Sequence, residues 1–149
     1  MTDPAQAAAK APGIIIQPDA ARYFEAAASG VLMIKQCHAC GQAHFYPRQA
    51  CPFCSSQDTA WIESSGSGTV YTYTVLRKGH PGPSIPVFIA LDEGPTLLAR
   101  MVGAEPEDVR IGMRVKACFP PLGPNGAPLL AFAPDPNPDQ TARQDAMRS

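Results

Sequence analysis

Two Cys-x-x-Cys pairs, separated by ten residues, constrain this chain more than any other feature of its sequence. The first pair is Cys37 and Cys40, and the second is Cys51 and Cys54. Structural zinc prefers a tetrahedron of four thiolates, and a two-residue gap lets both sulfurs of a pair reach one ion at about 2.3 Å. The spacer is long enough for a hairpin that brings the pairs together. The spacing therefore predicts one structural zinc ion per chain.

Other uses of the cysteines can be compared with this prediction. A mononuclear iron site of the rubredoxin type has the same four thiolates, so iron remains an alternative from sequence alone. A redox dithiol at a strand-to-helix turn would account for only one of the pairs. A catalytic zinc needs an open coordination position, whereas four thiolates close the shell. His38 and His44 are therefore predicted as surface or supporting residues and not as ligands.

The chain of 149 residues has room for one ordinary domain, or for two very small ones if a metal supports one of them. Its 17 prolines and 12 glycines disfavour long helices. One short helix is predicted between the N-cap candidate Asp19 and Gly30. Beyond a joint of small residues at 64–68, turn signals separate β-like runs, which predict a small five-stranded barrel. The runs are 69–76, 86–91, 96–102, 114–119 and 129–133.

The predicted organisation has four parts and is mainly β. Residues 1–13 have no usable periodicity and are predicted to form a flexible arm. Residues 14–63 hold the helix and the metal-bound ribbon, and residues 64–134 hold the barrel. The proline-spaced segment 135–149 is predicted to be a disordered tail.

Charge and hydropathy restrict the classes of partner. Twelve basic and 13 acidic residues give a net charge of −1, so no global field attracts a polyanion. No stretch approaches the roughly 18 apolar residues of a membrane span. The N-terminal residues do not resemble a secretory signal. We therefore expect a cytoplasmic protein, in which cysteines serve as thiols or metal ligands.

The barrel segment carries the remaining candidate binding residues. Alternation along its first strand puts Tyr71 and Tyr73 on one face, which we predict to be the core face. The alternative is that they are exposed and stack on nucleic-acid bases. Arg77, Lys78 and His80 follow this strand as the densest cationic group in the chain. They are candidates for contact with an acidic partner or a nucleotide phosphate.

The order of these motifs resembles the DUF35 family over about residues 14 to 133. The resemblance implies a rubredoxin-like zinc ribbon followed by an OB-fold, with the four cysteines as ligands. The motifs that carry it are Gly30-Val31-Leu32, the two cysteine pairs, Phe45-x-Pro47-Arg48, Trp61, Ser65-Gly66-x-Gly68-x-Val70-Tyr71-x-Tyr73 and Leu91-Asp92-Glu93-Gly94.

The resemblance implies a noncatalytic accessory or scaffold subunit of an acyl-CoA-processing complex. Its leading expected partner is a thiolase-like enzyme, whose CoA-substrate entrance it would help to form. Hot-dog-fold hydratases and lipid-transfer-protein-like aldolases are alternative partners in the same family. No Ser-His-Asp order, P-loop or dinucleotide motif is visible, so the chain alone is not expected to be an enzyme.

Four residues are candidate contacts to the partner or to a CoA thioester at the interface. Tyr23 and Phe24 occupy the helix position at which the family often has Phe-Trp, and Arg77 and Lys78 follow the first barrel strand. A function of another class, a single-stranded nucleic-acid-binding OB-fold module, remains an alternative. The near-zero net charge makes nucleic acid the less expected partner.

Overall fold

The computed structural model of the chain describes residues 16–79, 82–122 and 126–136. They form one short α-helix, a three-stranded sheet and a closed five-stranded barrel, so the predicted mainly-β architecture is confirmed. The predicted arm 1–13, His80 and the part of the predicted tail beyond residue 136 lie outside the described residues. The three predicted boundaries between the four parts of the chain remain predictions.

Helix α1 spans Ala21–Ala28 and directly follows a single 3-10 turn at Pro18–Ala20. Proline suits the first position of such a turn because its missing N–H would have no partner there. At the other end Gly30 adopts a φ of 80°, and the amides of Gly30 and Val31 donate to the carbonyls of Ala27 and Ala26. This is a Schellman cap, which requires the left-handed conformation that glycine adopts at low cost.

The metal ribbon contains a three-stranded antiparallel sheet of order β2-β1-β3. Its strands are β1 (Met33–Cys37), β2 (Ala43–His44) and β3 (Thr59–Glu63). Strand β3 was not predicted, since its five residues show no alternation and nearly all are half-buried. It is held by its pairing with the whole of β1. Long-range pairing of this kind leaves little signal in a single sequence.

Five strands form the barrel: β4 (Ser67–Tyr73), β5 (Pro86–Leu91), β6 (Thr96–Met101), β7 (Arg114–Cys118) and β8 (Ala131–Pro134). They pair in the order β4-β5-β6-β8-β7, and β7 pairs with β4 to close the barrel. All neighbours are antiparallel except β6 and β8, which run parallel. A 3-10 turn lies at Pro106–Asp108, between β6 and β7. The five strands coincide with the five predicted runs to within a few residues.

One hydrophobic core serves both the ribbon and the barrel. Helix α1 and the ribbon supply Tyr23, Leu32 and Ile34 to the same buried cluster as the inward side chains of the barrel. Phe132 of β8 is fully buried at its centre. Because the two parts share this cluster, each buries apolar surface that would otherwise face water.

A β-bulge reverses the expected orientation of the tyrosine at the middle of β4. The register shifts between Val70, opposite Ile89, and Thr72, opposite Phe88. Tyr71 lies at this shift, where an extra residue disrupts the alternation of side chains. It is 67% exposed, whereas Val70 is buried. The prediction that Tyr71 faces the core is therefore wrong.

The carboxylate of Glu93 fixes the joint between ribbon and barrel. Its Oε2 accepts a hydrogen bond from Ser64 Oγ at 3.0 Å. Its Oε1 accepts from the backbone N–H and the hydroxyl of Ser65, at 2.8 and 3.1 Å. Three donors from the joint thus converge on one side chain of the turn between β5 and β6.

Replacing Glu93 with alanine is expected to reduce the free energy of unfolding by about 1.5–3 kcal/mol, because hydrogen bonds to a charged acceptor are lost and their donors remain. Urea denaturation measures the change. Glu107→Ala is the matched control, since Glu107 is an exposed residue of the Pro106–Asp108 turn. Equal losses in the two variants would contradict this role for Glu93.

Candidate metal centre and aromatic groove

The two cysteine pairs lie in turns with the same backbone hydrogen bonds. In the first turn Cys37 N donates to Gln42 O at 3.0 Å, and Gly41 N donates to Cys37 O at 3.0 Å. In the second, Cys51 N donates to Ser56 O at 2.8 Å, and Ser55 N donates to Cys51 O at 2.9 Å. The residue after each pair has a positive φ, 77° at Gly41 and 64° at Ser55. The sequence repeat is therefore also a structural repeat.

The four cysteine sulfurs form a single cluster. All four Sγ atoms lie within 4.8 Å of one another. The Sγ atoms of Cys37 and Cys54 are 3.5 Å apart, and those of Cys40 and Cys51 are 3.7 Å apart. A zinc ion with four ligands at about 2.3 Å requires sulfur separations of about 3.8 Å. The donor set and spacing fit one zinc ion with no open coordination position.

Without a bound metal ion, the local hydrogen bonds stabilise the thiolate form of some of the four cysteines more than that of others. A backbone hydrogen bond from Cys40 is the main reason that the pKa of Cys37 is lowered to about 7. A backbone hydrogen bond from Ser56 acts in the same direction on Cys54, but the Cys37 sulfur and burial outweigh it and raise the pKa of Cys54 to about 12. A metal ion must displace the protons that remain on such thiols.

The two histidines near the cluster differ in exposure. His38 is exposed, and its Nδ1 lies 3.1 Å from Asp58 Oδ1. This contact, together with the bond from His38 N to Asp58 O, ties the first turn to the segment before β3. His44 is only 2% exposed, so of the two roles predicted for these histidines, surface or supporting, it does not have the surface one. Burial, followed by the charge of Lys35, lowers the pKa of His44.

The buried neutral His44 should make stability depend on pH. An unfolded histidine takes up a proton below about pH 6.5, but the folded protein resists this because its pKa is lowered. The contribution of His44 to the free energy of unfolding is therefore complete above about pH 6.5 and declines as the pH falls below that value. We expect His44→Phe to weaken this decline in denaturant titrations at neutral and mildly acidic pH. Identical pH slopes in the two proteins would contradict the assignment.

The candidate contacts Tyr23 and Phe24 belong to a cluster of aromatic rings. The ring centroid of Tyr23 lies 5.0 Å from that of Phe24, 5.5 Å from that of Phe45 and 6.1 Å from that of Tyr46. Tyr23 is buried, and burial raises its pKa. Tyr46 is 41% exposed, so it presents the cluster to solvent. Helix α1 is thereby joined to the residues that follow β2.

An apolar groove of about 490 Å³ opens beside this cluster and is called here the aromatic groove. The four rings form one wall, and residues of β6 and of the segment before β8 form the others. Leu98, which is 60% exposed, lies on its rim. The principal lining residues outside the rings are Pro86, Leu98, Ala99, Arg100, Leu129 and Leu130.

The candidate contacts Arg77 and Lys78 are not among the lining residues of the aromatic groove. Both are exposed in the segment after β4. Arg77 lines a second cavity of about 540 Å³, which also contains Arg100, Glu105 and Glu107. The structure thus brings Tyr23 and Phe24 together but places Arg77 in a different cavity. Arg100 is common to both.

Sequence reasoning missed several residues of the aromatic groove. Phe45 was noted only as part of the motif Phe45-x-Pro47-Arg48, and neither Phe45 nor Tyr46 was assigned to a binding surface. Their proximity in sequence to the metal turns was the available signal. Leu98 and Arg100 gave no such signal in the sequence, since they join the groove only when the barrel packs beside α1.

Among the described residues, no helix is long and apolar enough to cross a membrane.

A four-thiolate ribbon that shares its core with a closed five-stranded barrel defines a zinc-ribbon and OB-fold protein. The family model "ChsH2, rubredoxin-like zinc ribbon domain" matches residues 24–60. The model "ChsH2, C-terminal OB-fold domain" matches residues 61–120. The chain belongs to the DUF35 family, and the resemblance seen in its motifs is confirmed.

Named relatives give this family its context. A probable enoyl-CoA hydratase alpha subunit of Thermomonospora curvata is 38% identical over 67% of this chain and 33% of its own length. A DUF35 domain-containing scaffold protein of Methanocaldococcus jannaschii is 37% identical over 56% of this chain and 64% of its own. The chain thus spans about a third of the first relative and just under two thirds of the second.

A solved structure extends the comparison to the whole fold. A chain of the Ltp2-ChsH2(DUF35) aldolase is 33% identical to this one and superposes with a TM-score of 0.69. The match covers 81% of this chain and 98% of that chain. This chain and that one are therefore similar over the ribbon and the barrel together.

Proposed function

We propose that this chain is a noncatalytic accessory subunit that binds and stabilises an acyl-CoA-processing enzyme. The observation that carries the proposal is the open aromatic groove with its exposed apolar rim, in a chain whose metal site takes all four ligands from the protein. A closed tetrathiolate site holds structure and offers no position to a substrate. An exposed apolar surface of this kind is typical of a protein interface.

The names of the relatives favour some partner enzymes over others. One relative is named as a hydratase alpha subunit, one as a scaffold protein and one as part of an aldolase. We therefore place a hydratase or an aldolase first among partners. The thiolase-like partner expected from the sequence stays a prediction, because none of these three names includes a thiolase.

The contribution to a CoA-substrate entrance is a finer part of the same proposal. Arg77 and Lys78 are exposed cations in the segment after β4. Their positive charges suit the phosphates of a CoA thioester, although Glu105 and Glu107 line the same cavity as Arg77 and offset part of that charge. Reduced thiols in the metal site fit a cytoplasmic location.

Coexpression with a hydratase or an aldolase from the same organism tests the proposal. We expect the two proteins to copurify through size exclusion, and we expect Leu98→Asp to abolish the complex because it places a charge on the apolar rim. Ile111→Asp is the matched control, since Ile111 is equally exposed, at 68%, and does not line the groove. Separate elution of the wild-type proteins at micromolar concentration, with unchanged enzyme activity, would exclude the accessory role.

Exposure of Tyr71 keeps a nucleic-acid-binding module as the second candidate function. An exposed aromatic ring on a barrel can stack on a base. Thr72, Phe88 and Leu98, at paired positions on the three neighbouring strands β4, β5 and β6, are uncharged, so they offer no cation to a phosphate backbone. We expect single-stranded oligonucleotides not to bind even at low salt. Tight, salt-sensitive binding in a fluorescence titration would reverse the order of the two candidates.

A further inference from the structure

Strand β6 has an unpaired edge along the aromatic groove. On one side β6 pairs with β5 from Thr96 to Arg100. On the other side its pairing with β8 includes only Arg100 and Met101. Within the described ranges, residues 96–99 therefore have no strand partner on the side away from β5. An edge of this kind is a template for another strand.

The hydrogen-bonding direction along β6 identifies the groups at that edge. Met101 N donates to Ile85 O on the side of β5, and Val102 N donates to Phe132 O on the side of β8. Successive residues of a strand direct their backbone groups to opposite sides. The amide and carbonyl of Leu98, four residues before Val102, therefore point toward the unpaired edge.

The aromatic groove lies next to these backbone groups. Leu98 and Ala99 of β6 line it, together with Leu129 and Leu130, which precede β8. The pairs at Arg100 and Met101 close the barrel, and before them residues 96–99 of β6 are split from the approach to β8. A ligand in the split would meet backbone donors and acceptors on one side and apolar side chains on the other, which matches an extended peptide.

Charge in the groove specifies one further property of its ligand. Arg100 is the single formally charged residue among its described lining residues. It is exposed, and no ion pair with a carboxylate of the described residues accounts for its charge. An acidic group would form a charge-assisted and often bidentate hydrogen bond with the guanidinium.

We propose that an extended apolar segment of the partner subunit binds in the aromatic groove as an added strand on β6, with an acidic residue against Arg100. This inference rests on the proposed accessory function and names the chemistry of the partner. Main-chain hydrogen bonds to Leu98 supply affinity, and alternate apolar side chains fill the groove. The acidic residue fixes the direction and register of the segment.

Peptides test the inference without the partner enzyme. The zinc-loaded full chain is used to select binders from a phage-displayed library of short random peptides. We expect selected sequences to alternate apolar residues and to contain one acidic residue. In fluorescence polarisation, Arg100→Glu should weaken binding about 10-fold or more, since a charge-assisted hydrogen bond is replaced by repulsion. Arg110→Glu is the matched control, because Arg110 is exposed and outside the groove.

Backbone methylation of the peptide separates strand addition from apolar contact. Methylating the peptide amide that faces Leu98 should weaken binding about 2- to 10-fold, through loss of one hydrogen bond, whereas methylating the next amide should have no such effect. Leu98→Pro removes the donor on the protein side, at an edge where proline is tolerated. Equal affinities for both methylated peptides, together with no effect of Leu98→Pro, would overturn the inference.

Other occupants of the groove would give different results. A chain that sediments as a dimer, and becomes a monomer with Leu98→Pro, would show a second copy at the edge and overturn the proposal. Binding of palmitoyl-CoA with no selectable peptide would assign the groove to an acyl chain and also overturn it. If the partner complex forms but is indifferent to Leu98→Pro and Arg100→Glu, the inference fails while the proposed accessory function stands.

Discussion

The Cys37→Ser variant is expected to lose its metal and its folded ribbon together. Cys37 ends β1, is fully buried, and belongs to the cluster of four sulfurs. Structural zinc sites contribute about 10–16 kcal/mol of apparent binding free energy, far more than a small sheet gains from its own core. Elemental analysis should show about one zinc per wild-type chain and a small fraction of that in the variant. Circular dichroism and solubility report the loss of structure.

The fifth cysteine provides the control for this experiment. Cys118 lies in β7, is half-buried and does not belong to the metal cluster. Burial raises the pKa of its thiol, which keeps it protonated and unreactive. Cys118→Ser should retain one zinc per chain. A folded Cys37→Ser protein with no metal, or equal metal loss in the two variants, would contradict the structural role of the site.

The Phe132→Ala variant is expected to lose about 3–5 kcal/mol of unfolding free energy, because a fully buried aromatic ring is removed and a cavity remains. Phe132 has no exposed surface and lies on β8, which joins β6 to β7 in the barrel. A loss of this size is a large part of the total stability of a small domain. Chemical denaturation followed by tryptophan fluorescence measures it.

Phe88→Ala is the matched control for the barrel core, since it makes the same chemical change on the outside. Phe88 lies on β5 and is 43% exposed. Its replacement removes less buried surface and should cost about 1 kcal/mol. Similar losses at the two positions would mean that the centre of the core lies elsewhere.

The sequence was sufficient for features that depend on local spacing. The cysteine pairs predicted the metal cluster because two residues between ligands is a local geometric requirement. Glycine and proline marked the ends of the barrel strands and of α1, since they act on their own backbone. The runs at residues 86–91 and 114–119 therefore correspond closely to β5 and β7.

Features that depend on distant contacts were not predicted. Strand β3 forms because β1 pairs with it, and its own residues carry no alternating pattern. The bulge at Tyr71 is set by the register of β4 against β5, so strict alternation assigned that side chain to the wrong face. Glu93 contacts Ser64 and Ser65 from about 28 residues away, a relation that no local motif marks.

Because the ribbon and the barrel share one core, the stability of the whole molecule depends on the concentration of free zinc. Ile34 of β1 packs in the same cluster as Phe132 of β8, so loss of the ribbon exposes apolar surface of the barrel. A ligand that binds only the folded state stabilises it by mass action. Above the dissociation constant, each tenfold fall in free zinc removes about 1.4 kcal/mol of that stability. The aromatic groove, built from both parts, is thereby linked to zinc concentration.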